Sequence, residues 1–170
     1  GYDLRTVRRS LNLLLLDWAN RGLNLWTLEE GSMPLLSGVD TYTLPADTVD
    51  LFEHRVRYGS ETNDLPLVRI SLSNYTTLPT RSNQGRPVQI VVDRQVAAPQ
   101  VKLWPVPDNN DYTLVYWRLR RMQDAGSGIQ TQDVPFRMLP ALVAGLAYMI
   151  AGKIPEGAAR AQLLKAQYDE

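Results

Sequence analysis

Cysteine is absent from this 170-residue chain, and histidine occurs once, at His54. The first absence excludes disulfide frameworks, thiolate metal sites and cysteine nucleophiles, and the second removes any two-histidine metal motif. There is no excess of either charge: 18 Lys and Arg balance 18 Asp and Glu. A domain whose main task is to grip nucleic acid carries a basic surplus, because phosphate neutralisation dominates that affinity. Long hydrophobic runs are missing too. The longest apolar stretch, Met138 to Gly152, is interrupted by Pro140 and Gly145 and falls short of the ~20 residues that span a bilayer. No basic segment followed by an apolar run opens the chain. It starts at Gly1 and stops at Tyr168-Asp169-Glu170 inside a helical pattern, so the native protein is expected to extend past both ends.

What is present is ordinary globular composition, 44% hydrophobic and 21% charged, in a length that suits one domain or a domain with an appended subdomain. Residues 3 to 21 predict an amphipathic helix. Asp3 is placed to cap it, Leu4, Val7, Leu11, Leu14, Leu15 and Trp18 recur at helical spacing, and Gly22 suits a left-handed stop. Leu13 and Leu16 widen the apolar face beyond one core contact. Either the helix is wholly buried in its own subunit or it packs between subunits.

From Leu23 to about Met122 the period shortens. Extended pieces are expected at Leu25–Gly31, Tyr42–Pro45, Asp50–Tyr58, Leu67–Ile70, Val88–Val92, Val101–Trp104 and Tyr112–Arg120, with a capped helical turn at Ser71–Tyr75. Trp104-Pro105-Val106-Pro107-Asp108 reads as a strand end entering a rigid turn, well suited also to interface packing. Helix returns near Pro135 and runs to about Ala151, stops at Gly152, and resumes from Pro155 with Ala158, Ala161, Leu164 and Tyr168. The expected fold class is α+β. A helical bundle (residues 1–22 and 133–170, the N-terminal helix plus a C-terminal helix pair) carries an inserted antiparallel β-sandwich-like region (23–132).

Candidates for chemistry are few. Glu29 and Glu30 are adjacent, and neighbours on a strand point to opposite faces, so they cannot flank one substrate bond. His54, between Glu53 and Arg55, reads as a surface or interface residue, with no Gly-x-Ser-x-Gly elbow to anchor a triad. Gly126-Ser127-Gly128 lacks the lysine and spacing of a phosphate loop and reads as a connector. Arg118, Arg120 and Arg121 interleave with Tyr116, Trp117 and Leu119, as a nucleic-acid platform would. Alternation separates Tyr116, Arg118 and Arg120 from Trp117, Leu119 and Arg121, so cation–π packing or intersubunit pairing competes with DNA contact. No catalytic, cofactor-binding or metal-binding residue is expected. The residues expected at an oligomer or partner interface are Leu13, Leu16, Trp104, Arg118, Arg120 and Arg121.

Three regions together resemble the head-to-tail adaptor proteins of tailed bacteriophages, with the nearest likeness to the podovirus tail tubular protein A group. The first is Arg8-Arg9-Ser10-Leu11-Asn12-Leu13-Leu14 followed by Trp18 to Gly31, a helix with paired arginines, an Arg-Gly turn and a Trp- and Glu-Glu-Gly-bearing strand. The second joins the Gly85-Arg86-Pro87 strand opening to Leu103-Trp104-Pro105-Val106-Pro107-Asp108. The third is Asp133-Val134-Pro135-Phe136-Arg137 opening an apolar helix. The resemblance implies a structural, non-enzymatic virion protein, assembled in the bacterial host cytoplasm and located in the tail or neck. It would form a self-ring, commonly a dodecamer, between the portal protein and a tail nozzle or tail tube protein. Genomic DNA would pass through the lumen during ejection without sequence-specific binding. A tail stopper, terminator or tube protein is the alternative, and a carboxylate-using cell-wall hydrolase a more distant one. Head-to-tail ring contacts would give the wide apolar face at Leu13 and Leu16 a use.

Overall fold

The computed structural model describes residues 3–23, 25–60, 63–122, 133–154 and 157–169. The connector expected at Gly126–Gly128 and the helix start expected at Pro155 lie outside the described residues. The fold is α+β, as expected, and the chain divides into two compact units. One comprises residues 1–26 and 122–170 and the other Thr27–Arg121.

In the helical unit, α1 (Leu4–Asn20) begins where Asp3, extended at ψ 118, accepts the Arg5 N–H at 3.1 Å. Such a cap is worth about 1 kcal/mol. The helix ends in a paired C-terminal lock. Gly22, at φ 77, donates its N–H to the Ala19 carbonyl, and Leu23 donates to the Trp18 carbonyl. Only a residue free of a Cβ adopts that φ without strain. Leu14, Leu15 and Trp18 turn inward, whereas Leu4, expected on the same face, is exposed in the first turn.

The α-helix expected from Pro135 starts later. Phe136–Met138 is a 3-10 turn, and α3 (here the third helix, Leu139–Ala151) takes Pro140 into its first turn. A proline has no N–H to donate and clashes with the preceding turn, so the register that tolerates Pro140 begins at Leu139. The last helix, α4, spans Ala158–Asp169. Gly145 of α3 is where all three helices meet. A Cβ there would lie 2.7 Å from the Tyr168 ring and 2.9 Å from Leu14. The Trp18 indole N–H closes the junction on the Tyr168 hydroxyl at 2.8 Å. Ser10, fully buried, is satisfied locally: its hydroxyl donates to the Thr6 carbonyl and accepts from the Lys153 ammonium at 2.7 Å.

The β unit holds two four-stranded sheets. Its strands are β1 (Leu28–Pro34), β2 (Thr41–Thr43), β3 (Thr48–Tyr58), β4 (Leu65–Pro66), β5 (Val68–Arg69), β6 (Gln89–Asp93), β7 (Gln100–Trp104) and β8 (Tyr112–Arg120), with the short helix α2 (Leu72–Thr76) between β5 and β6. The sheet orders are β1-β8-β3-β4 and β2-β7-β6-β5. Pairing is antiparallel except between β5 and β6, which run parallel, a departure from the all-antiparallel expectation. The segment between them, carrying α2, is long enough to return the chain in the same direction, as a parallel pair requires. Residues 25–27, expected as strand, form a 3-10 turn before β1.

Apolar residues from both sheets meet in one core, including Leu35, Leu51, Val56, Ile90, Val101, Leu103 and Leu114. Burying each such side chain contributes roughly 1.5–3 kcal/mol. Gly31 sits opposite Tyr116, and a Cβ there would come within 2.6 Å of the tyrosine ring. In β3, register shifts between Thr48 and Asp50 and between Leu51 and Glu53 leave Val49 and Phe52 exposed.

Candidate interaction surfaces

The strongest electrostatic feature of the β unit follows from register. Glu29 of β1 lies directly across from Arg118 of β8, whose other neighbour is Leu51 of β3. That placement puts Arg118 on the inward-facing set of β8 with Tyr112, Leu114 and Tyr116, and it is only 8% exposed. A buried guanidinium must be paired to be tolerated. Arg118 donates to Glu29, to Asp47 at 2.6 Å and to the Thr48 hydroxyl at 2.9 Å. Arg120 adds a second donor to Glu29 at 3.1 Å.

The hydrogen bond from Arg118 holds the Asp47 carboxyl below its ordinary pKa. Burial works against the charge on Arg118, yet Asp47 and Glu29 outweigh it and keep it cationic. A second clasp joins three segments. Asp50 accepts from Arg69 at 2.9 Å and Arg94 at 2.5 Å, and although burial opposes its ionisation, those two donors hold its carboxyl low.

Glu29 and Glu30 diverge as the alternation requires: Glu29 meets Arg118, and Glu30 sits across from the exposed Trp117. Glu29 of β1 and Asp47 of the turn before β3 do converge, but on one guanidinium that binds both. His54 is half-buried across from Tyr116, and its Nδ1 finds no hydrogen-bond partner among the described residues. Burial, with Arg69 nearby, pushes its pKa below the ordinary 6.5. Among the described residues no group of three or more His, Asp or Glu is arranged to hold a metal.

The six residues expected at an interface fall in separate places. Leu13 and Leu16 lie on the outward side of α1, 45% and 47% exposed. Arg118 and Arg120 are brought together through Glu29, and Arg121 follows them with its backbone N–H on the Asp47 carbonyl at 2.7 Å. Trp104 belongs to the other sheet, half-buried, with its indole N–H on the Thr80 carbonyl at 3.1 Å and a cis bond to Pro105. The Arg118–Glu29–Asp47 cluster joins residues far apart in the chain. The signal available was an arginine on the inward face of a strongly alternating strand, which demands a carboxylate.

The helical unit contributes a different surface. Phe136 (88% exposed), Leu139 and Val143 (67%) recur at three- and four-residue spacing along one side of the 3-10 turn and α3. With Leu13 and Leu16 they make this unit rich in uncovered apolar side chains. Among the described residues no helix is long and apolar enough to cross a membrane.

An α+β chain whose buried arginine is matched by carboxylates and whose helices keep apolar faces open has the character of a structural assembly component. The family model described as SU10 adaptor protein matches residues 2–170, and the chain belongs to that family. It is therefore a phage adaptor protein, a structural virion component that associates with other phage structural proteins. Among curated proteins, none matches the chain.

Proposed function

We propose that the protein forms the head-to-tail adaptor ring of a tailed phage, joining the portal to the tail nozzle or tube, with the genome passing through its lumen. The observation that carries this reading is the uncovered apolar surface of the helical unit, Leu13 and Leu16 on α1 and Phe136, Leu139 and Val143 beside and on α3. Monomers seldom leave such faces open, and a head-to-tail ring buries a different patch on each side of every subunit. Residues 1–22 and 133–170 act as the helical scaffold of the ring and 23–132 as its β insertion. Balanced charge suits a lumen through which DNA slides without being held. Arg118 and Arg120 fix Glu29 and Asp47 in position for a polar contact with a neighbour, Arg121 extends that edge, and Trp104 packs at the insertion's own contact.

Native mass spectrometry of the protein alone and mixed with purified portal tests the reading. A ring-sized species, formed alone or on portal addition, is the expected result. A monomer indifferent to portal would contradict it.

A further inference from the structure

The outer face of the second sheet carries a pocket that the ring reading does not use. It has a volume of about 840 Å³, within the ~300–1,000 Å³ usual for ligand sites, and lies between α2, residues 79–84 and the strand β7. Lys102 projects there from β7, an interior strand flanked by Thr41 of β2 and Val91 of β6. Lysine is depleted in such strands, because its stem packs poorly there and its charge seeks water. Its ammonium donates to the Thr41 hydroxyl at 3.2 Å, a neutral partner, and has no carboxylate at ion-pair distance among the described residues. An ammonium has three donors, so capacity is left over.

The one carboxylate lining the pocket is already engaged. Asp40 accepts from the Thr41 hydroxyl at 2.9 Å and from the Tyr75 hydroxyl at 3.2 Å. Burial, reinforced by Asp40, raises the Tyr75 pKa, so its proton stays in that hydrogen bond. Arg81, at the exposed rim, also has no ion pair among the described residues. Leu72 and Val106 give the walls an apolar component.

We propose that this pocket binds an acidic segment of a partner polypeptide, with a carboxylate seated between Lys102 and Arg81 and its aliphatic stem against Leu72. Two unmatched cations over an apolar wall fit a carboxylate on a short carbon stem, through charge-assisted hydrogen bonds. A nucleic-acid backbone is the poorer fit. Tracking successive phosphates needs a stripe of cations, and Asp40 sits among these two. The inference stands on the pocket's own chemistry and does not depend on ring formation.

Isothermal titration of the full chain with a hexaglutamate peptide tests it, with hexaserine and an oligothymidylate as comparison ligands. Saturable binding of hexaglutamate that weakens with added salt is expected, and hexaserine should not bind. Lys102→Gln and Arg81→Gln should each weaken binding roughly tenfold, the scale of one charge-assisted hydrogen bond. Arg81 lies in an exposed segment, so its variant remains informative even if Lys102→Gln disturbs the sheet. Absence of hexaglutamate binding at millimolar peptide would overturn the proposal, as would binding unchanged in both variants. Tighter binding of the oligothymidylate, lost in the same variants, would replace it with a phosphate site.

Discussion

In the β unit, apolar side chains of two sheets close on one core, and its inward arginine, Arg118, is matched by Glu29 and Asp47 from neighbouring segments. The helical unit has a smaller core built on Leu14, Leu15, Trp18, Met122 and Leu142. Against it stand exposed Leu4, Leu13, Leu16, Leu23, Phe136, Leu139, Val143 and Leu163. The β unit also exposes apolar residues, such as Val49 and Phe52 at the β3 bulges, but buries more than it exposes. A unit that leaves more large apolar side chains outside than inside is stabilised by being covered. The comparison teaches where the apolar assembly contacts belong: on the helices, while the β unit closes its own core and offers chiefly polar contacts at its edge.

The comparison can be broken by core substitutions. Leu103→Ala, at a fully buried position of β7, should cost about 2–5 kcal/mol and lower the unfolding midpoint of the β unit in a denaturant titration. Gly145→Val forces a Cβ against Tyr168 and Leu14 and should cost about 1–3 kcal/mol. Hydrogen exchange should show its effect in α1, α3 and α4 while the sheets stay protected. If both substitutions loosen both units equally, the units are not separate cores.

Arg118→Met removes the shared partner of Glu29 and Asp47. Both carboxylates are partly solvated and can rehydrate, so the loss should be modest, about 1–2 kcal/mol, read by thermal unfolding. Loss of ring assembly beyond what the lost stability explains is expected if the Glu29–Asp47 edge meets a neighbouring subunit, and assembly unchanged in Arg118→Met would remove that contact from the ring reading. Leu13→Asp and Leu16→Asp should change monomer stability least, within about 0.5 kcal/mol, while abolishing assembly in sedimentation velocity. An unfolded product would return both side chains to the subunit core.

A pH dependence sharpens the β half of the contrast. The folded His54 pKa is below the unfolded 6.5, so the unfolded chain binds more protons as pH falls through 6.5. Stability is complete above 6.5 and declines from there towards the folded pKa, and His54→Gln should flatten that decline. Asp47 and Asp50, also depressed, extend the loss as pH falls below the carboxylate value of 3.8. A wild-type profile level from pH 7 to 5 would show that His54 is not desolvated.

Local chemistry was the legible part of the sequence. Asp3 and Gly22 bound α1 because capping depends on residues adjacent in the chain. Strict alternation in β8 placed Tyr116 and Arg118 on one face before any partner was known. Non-local pairing was not legible. Nothing in residues 28–34 specifies that they lie beside 112–120, so the Glu29–Arg118 pair, 89 residues apart, was invisible until register was set. The parallel β5–β6 pair and the pocket around Lys102 share that cause, since each depends on strands brought together from distant segments. At α3, Pro135 and Pro140 both carry a helix-start signal, and Pro140 governs the start of the α-helix. Leu13 and Leu16 were recognised as surplus to one contact, but periodicity alone cannot distinguish a second core face from an uncovered one.

The measurement that bears most directly on the account is hydrogen–deuterium exchange of the protein assembled on purified portal, compared with the free chain. Protection gained along α1 around Leu13 and Leu16 and along α3 around Leu139 and Val143, larger than any change in the sheets, is the predicted result. Protection confined to the β unit, with both helix faces exchanging as before, would contradict it.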